Sequence, residues 1–149
     1  MPEPEHTSSH HLVRRHCIVG WAFLLVFLTL GLTLEALHAF KARWYLEEAY
    51  TTRRLMWTLA HAHGVLLALI NIALGSTIKQ LDLLSTRSLR LASPLLVVAS
   101  VIMPAGFFLG GVTFHGGDPG VGIWLAPIGG VGLFGAVLLT LVAAIGSKK

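Results

Sequence analysis

Six side chains in this sequence have the types and spacings from which a metal or haem site is built: Glu35, His38, His61, His63, His115 and Asp118. Each lies within or beside a long apolar stretch, where an ionisable group is costly unless it is paired or faces a cavity. Glu35 and His38, in "LTLEALHAF", are three residues apart and share one face of a helix. Carboxylate-bridged di-metal bundles draw two ligands from one helix at this same Glu-x-x-His spacing. His61 and His63, in "TLAHAHGVLLALINIALG", are two residues apart, so on a helix they point about 200° away from each other. They cannot both chelate one small ion without distortion. One is expected to face a cluster with Glu35 and His38, the other a neighbouring helix, a second subunit or a second cofactor. Gly64 leaves a gap beside His63 where something bulky can approach the helix.

The elements that must position these residues follow from composition. The 149 residues are 54% hydrophobic and 12% charged, with a mean hydropathy of +0.74, far from the roughly 25% charged residues of soluble domains. Four apolar runs, about 17–40, 55–78, 89–114 and 121–146, are each long enough to span a hydrocarbon core of about 30 Å. The expected fold is an all-α integral membrane protein, an antiparallel four-transmembrane-helix bundle over residues 12–149, preceded by a flexible cytosolic tail, 1–11. The run after "LVRRH" is too long for a signal-peptide core and lacks a small-x-small cleavage site, so it is expected to be retained. Cys17 is the only cysteine, which excludes an internal disulfide and a multi-thiolate metal site.

Basic residues set the orientation. Arg14, Arg15, Lys79, Arg87, Arg90, Lys148 and Lys149 fall on the side of both termini; Lys41, Arg43, Arg53 and Arg54 fall opposite, offset by Glu47, Glu48 and Asp118. Both termini are therefore expected in the cytoplasm, with Trp44, Tyr45, Tyr50, Trp57 and Trp124 near the outer interface. The basic pI of about 9.7 is then accounted for by membrane-flanking residues, with no nucleic-acid partner. On this topology all six candidate residues converge on the outer half. Measured from Arg43 and Leu55, Glu35 and His63 both lie about 12 Å along their helices.

Structural roles compete with ligation at each position. Glu35 can pair with Arg54 or a neutral histidine. Asp118, in "GGDPG", can serve as turn residue and N-cap of the last helix. Asn71 is expected to make an interhelical hydrogen bond. His6, His10, His11 and His16 are expected to be solvated in the tail. Gly106 and Gly110, with Gly129, Gly130, Gly132 and Gly135, suit close helix packing or room for a flat cofactor. Pro94 is expected in a first turn, and Pro104 and Pro127 in helix interiors. Hydrolysis is disfavoured: Thr33, Thr58 and Thr113 lie near the cluster, but no serine stands on the outer side to form a triad.

The "HAHG" at 61–64 resembles the H-x-H pair in the catalytic subunit of haem-copper oxidases, whose two imidazoles ligate two haems on opposite faces of one helix. The resemblance covers His61 and His63 alone; no counterpart of the copper-ligand motif is present. It implies that this spacing can serve two cofactors. The expected function is that of a small metal- or haem-binding membrane protein, redox-related as an enzyme or a subunit of one. In one version Glu35, His38, His61 or His63, His115 and Asp118 hold Fe, Zn or Cu. In the other, one of His61 or His63 pairs axially with His38 or His115 on a haem b. The alternatives are a proton- or cation-coupled transport subunit and a structural or assembly subunit. Against transport, the inner halves of the four runs hold no ionisable residue. The expected partners are the lipid bilayer and a second copy or a larger membrane complex. The expected location is a bacterial inner (cytoplasmic) membrane, with the site facing the extracytoplasmic side.

Overall fold

The computed structural model describes residues 4–81 and 87–146, with side chains from His10 onward. Lys148, Lys149 and the side chain of His6 lie outside the described residues. The order is α1 (Pro4–Ala39), a short α2 (Arg43–Leu46), a 3-10 turn (Glu48–Tyr50), α3 (Thr51–Gln80), α4 (Arg87–Val112), β1 (Phe114–His115), β2 (Asp118–Pro119), a 3-10 turn (Val121–Trp124) and α5 (Leu125–Gly146). Four of these helices are long and apolar enough to cross a membrane. Helix α1 begins well before Cys17, so part of the segment read as a tail is helical. The helix starts also move two prolines. Pro94 lies inside α4 beside Pro104, whereas Pro127 falls in the first turn of α5, where a missing donor costs little.

Helix α1 stops in a Schellman motif: Lys41 takes φ of 51°, its N–H donates to His38 O, and Ala42 N–H donates to Leu37 O. The chain then returns as α3, packed antiparallel on α1. Gly20 of α1 lies against Ile72, and Gly31 against the imidazole of His61. Reciprocally, the ring of Phe27 fills the notch at Gly64, so the bulky group expected beside His63 is this phenylalanine. A Cβ at Gly64 would collide with that ring, and overpacking of this kind costs about 1–3 kcal/mol. Gly64→Val is accordingly expected to lower the thermal midpoint of the purified protein, read by intrinsic fluorescence. A midpoint equal to wild type would mean that the notch is not sealed.

Helix α4 packs on α3 and α5 on α4, again antiparallel. Core residues recur at intervals of seven, Leu67 and Leu74 on α3 with Leu89, Leu96 and Met103 on α4, the repeat of shallow left-handed crossings. Small residues bring α4 and α5 together: Gly106 meets the backbone of Ala126, and Gly129 meets Met103. Gly130, Gly132 and Gly135 stand in ordinary van der Waals contact with Met103, Ala99 and Leu95 of α4. Both described chain ends thus lie at one end of the fold, here the terminal end. The hairpin of β1 and β2 lies at the other.

At the hairpin end, charges expected at a membrane interface are used as caps. Arg53 Nε donates to Gly111 O at 3.1 Å, at the carbonyl end of α4, where positive charge is favourable. Its guanidinium also lies 5.0 Å from the Tyr50 ring centroid and 5.2 Å from that of Phe114. Arg54 Nη1 donates to Tyr45 O and Glu47 O, both at 2.9 Å. Trp57 stacks on Phe108 with ring centroids 5.3 Å apart. Tyr45 is completely buried beneath Trp44 and Trp57, while Trp124 stays exposed.

Candidate functional site

The two histidines of α3 diverge, as helix geometry requires. His61 turns to α1 and His63 to α4. His61 Nδ1 lies 2.7 Å from Phe27 O across the interface. A carbonyl only accepts, so Nδ1 carries the proton and Nε2 keeps a lone pair. The ring rests against Gly31. His63 stacks on Phe107 of α4 at 4.6 Å between centroids, and its Nδ1 donates at 2.9 Å to Leu59 O, one turn back on its own helix. His38 repeats the pattern, with Nδ1 3.0 Å from Leu34 O and its ring edge-on to Tyr45 at 5.1 Å.

Three histidines towards the hairpin end therefore share one tautomer. Among the described residues no donor reaches Nε2 of any of them. A donor bond from Nδ1 to a backbone carbonyl is the usual outer support of a metal-ligating imidazole, because it fixes the ring and raises the basicity of Nε2.

The other candidates stand apart. Glu35 is exposed on α1 and makes no ion pair with a described residue; the ion pair at this end of the fold is between Arg43 and Glu47. The alternative pairing of Glu35 with Arg54 is absent, since Arg54 is occupied by backbone carbonyls. His115 and Asp118 sit directly opposite each other in the β1–β2 hairpin. They flank Gly116 and Gly117, whose φ values of 59° and 92° close the two-residue turn. Both side chains are exposed. Asp118 is a strand residue rather than an N-cap: the following 3-10 turn is capped by Gly120, without a side-chain bond, and α5 starts only at Leu125. Among the described residues, no three His, Cys, Asp or Glu side chains come together as a metal-binding group.

An apolar groove of about 310 Å³ runs between α3 and α5, from Ile70 to Thr77 on one wall and from Ala136 to Ala144 on the other, with Leu96 on its floor. Ile70 lies two turns from His63 along α3, so the groove opens towards the terminal end from that imidazole. A second groove of about 420 Å³ separates α1 from α4 around Phe27, Ala60 and Phe108.

Reading the sequence missed the most tightly bonded polar group. His16, assigned to a solvated tail, is completely buried where α1, α3 and α4 meet. Its Nδ1 lies 2.8 Å from Asn71 Oδ1, and its Nε2 2.8 Å from Ser93 Oγ. Asn71 Nδ2 donates to Leu67 O at 2.9 Å and to Ser100 Oγ at 2.8 Å, which fixes the amide and leaves Oδ1 to accept. Ser100 Oγ in turn donates to Leu96 O at 2.7 Å. The bonds run one way, from the Ser93 hydroxyl through a neutral His16 to Asn71 and Ser100. Asn71 thus makes the interhelical bond expected of it. The terminal-end halves of the helices are not devoid of ionisable groups, since His16 lies there. The available signal was register: His16 lies one turn before Gly20, on the face that Gly20 turns to α3.

At the hairpin end, Tyr45 Oη is the one buried side-chain polar atom without a hydrogen-bond partner among the described residues. Burial raises this phenol above its ordinary pKa, against the pull of the Arg54 guanidinium. Comparison with protein-family models, curated proteins and solved structures gave no match to this chain.

Proposed function

We propose that the protein is a haem-binding redox protein of a bacterial inner membrane, an enzyme or a subunit of one. In this reading the four long helices form a membrane bundle with both termini in the cytoplasm, and His63 is an axial ligand in the outer half. The observation that carries it is the bonded state of His63, whose Nδ1 is tied to Leu59 O and whose Nε2 is left without a donor. A lone pair so placed within a membrane span calls for an electrophilic partner. An isolated zinc or copper site needs three or four ligands from the chain, whereas a haem needs only one or two axial side chains and an apolar surround. Phe107 under the His63 ring and the apolar groove that begins two turns away suit a flat apolar macrocycle. When bound, the haem supplies one-electron chemistry. His63 would hold the iron through Nε2, and Leu59 O would fix and polarise its imidazole.

His61 has the same tautomer on the opposite face, but its ring is committed to the α1 interface. This favours His63 as the ligand and His61 as the interhelical bond. The test is the absorption spectrum of the full chain purified without chelators. A Soret band that shifts on reduction, with about one iron per chain, is expected; a colourless, iron-free protein after expression with added haem would refute the proposal.

A further inference from the structure

The exposed face of α1 carries a feature that haem ligation does not use. Ile18, Trp21, Leu25, Leu28 and Leu32 follow at alternating intervals of three and four residues and are 47–69% exposed. Glu35 continues the series, and His38 follows three residues on. A stripe of large side chains with a mean spacing of 3.5 residues is the seam of a left-handed helix pair, and on α1 it is left uncovered by the described residues. It ends in an exposed carboxylate inside a membrane-spanning helix, a position that is rare unless a partner covers it.

We infer that two copies of the chain pair in parallel through α1 and hold one divalent transition-metal ion between Glu35 and His38 of each copy. Copies with the same topology are related by a twofold axis along the membrane normal, so each residue of the seam meets its own equivalent at equal depth. Two Glu35 carboxylates then face each other in a medium that screens charge poorly, and they repel unless a cation lies between them. The pair also brings together two His38 imidazoles. Each has Nδ1 tied to Leu34 O and its ring backed by Tyr45, which leaves Nε2 to ligate. Two carboxylates and two imidazoles make a four-ligand set suited to Zn(II) or Fe(II). One chain supplies only half of it, in keeping with the lack of a three-ligand group among the described residues. A second copy is the partner favoured because it carries the same stripe and the missing two ligands. The proposal is independent of the haem.

The test uses the full chain in chelator-free detergent with zinc alone as the probe. Mass is read by light scattering after size exclusion, and zinc by elemental analysis. A dimer holding one zinc per two chains is expected, reverting towards monomer with EDTA. Glu35→Gln and His38→Ala should each weaken zinc binding at least tenfold and shift the mass to monomer while helical circular dichroism is unchanged. Leu25→Ala with Leu28→Ala, which leaves the ligands intact, should weaken pairing and zinc binding together. One zinc per monomer, a monomer at every zinc concentration, or a dimer indifferent to zinc and to Glu35→Gln would overturn the inference. Loss of the Soret band alone bears only on the haem.

Discussion

Haem occupancy should fall at least tenfold in His63→Ala, read as the ratio of Soret absorbance to protein absorbance, and should be unchanged in His115→Ala. The difference follows from where the two imidazoles stand. His63 is clamped between Leu59 O and the Phe107 ring within one of the four long apolar helices, whereas His115 is exposed beside the two-residue turn of the β1–β2 hairpin. If His63 holds the iron as proposed, its removal costs the iron–nitrogen bond outright, and a tenfold loss corresponds to only about 1.4 kcal/mol. Added imidazole should restore part of the band in His63→Ala, because the space vacated by the ring accepts the free base. His61→Ala should behave differently, since it gives up the bond to Phe27 O and the contact at Gly31. The expected result is a lower thermal midpoint with the band retained in the protein that stays folded. Equal band loss in the His61 and His63 variants would assign both as ligands and would remove the distinction drawn between them.

Asn71→Ala should be the most damaging polar substitution at the terminal end. It strips the acceptor from His16 Nδ1–H, the donor from Ser100 Oγ and the volume of a completely buried amide. An orphaned buried donor costs about 1–3 kcal/mol. Interhelical bonds within membranes lie at the low end, with an average near 0.6 kcal/mol. About 2 kcal/mol is expected once the cavity is included, which is a large share of the stability of a typical domain. Ser93→Ala, which leaves only an unfilled lone pair on Nε2, should cost less. Thermal melting in detergent orders the two. An Asn71→Ala midpoint within error of wild type would mean that the network contributes nothing.

The four apolar runs were legible as four long helices, because a continuous apolar stretch of that length is stable as a helix that satisfies its own backbone; the early start of α1 was not. Period alone was enough to send His61 and His63 in opposite directions. Rotation was harder. In a chain that is apolar on nearly every face, no polar side reveals which way a helix turns, so which histidine faced which neighbour stayed open. The information lay in the small residues. Gly20 and Gly31 on α1, and Gly64 and Gly75 on α3, mark the faces in contact, and His16 shares the first of those faces. Glu35 was assigned to a converging cluster on depth alone. Depth is common to all sides of a helix, and Glu35 stands on the outer one.

The two notches between α1 and α3 act together as a key. The Phe27 ring sits at Gly64 and the His61 ring at Gly31, so each helix carries both a tooth and a slot. Sliding by one helical turn would lift both rings out at once and set them against side chains that leave no room. The pair is therefore barred from the ratchet-like shifts by which packed helices commonly switch. A slide of α1 along α3 has to break both contacts at once.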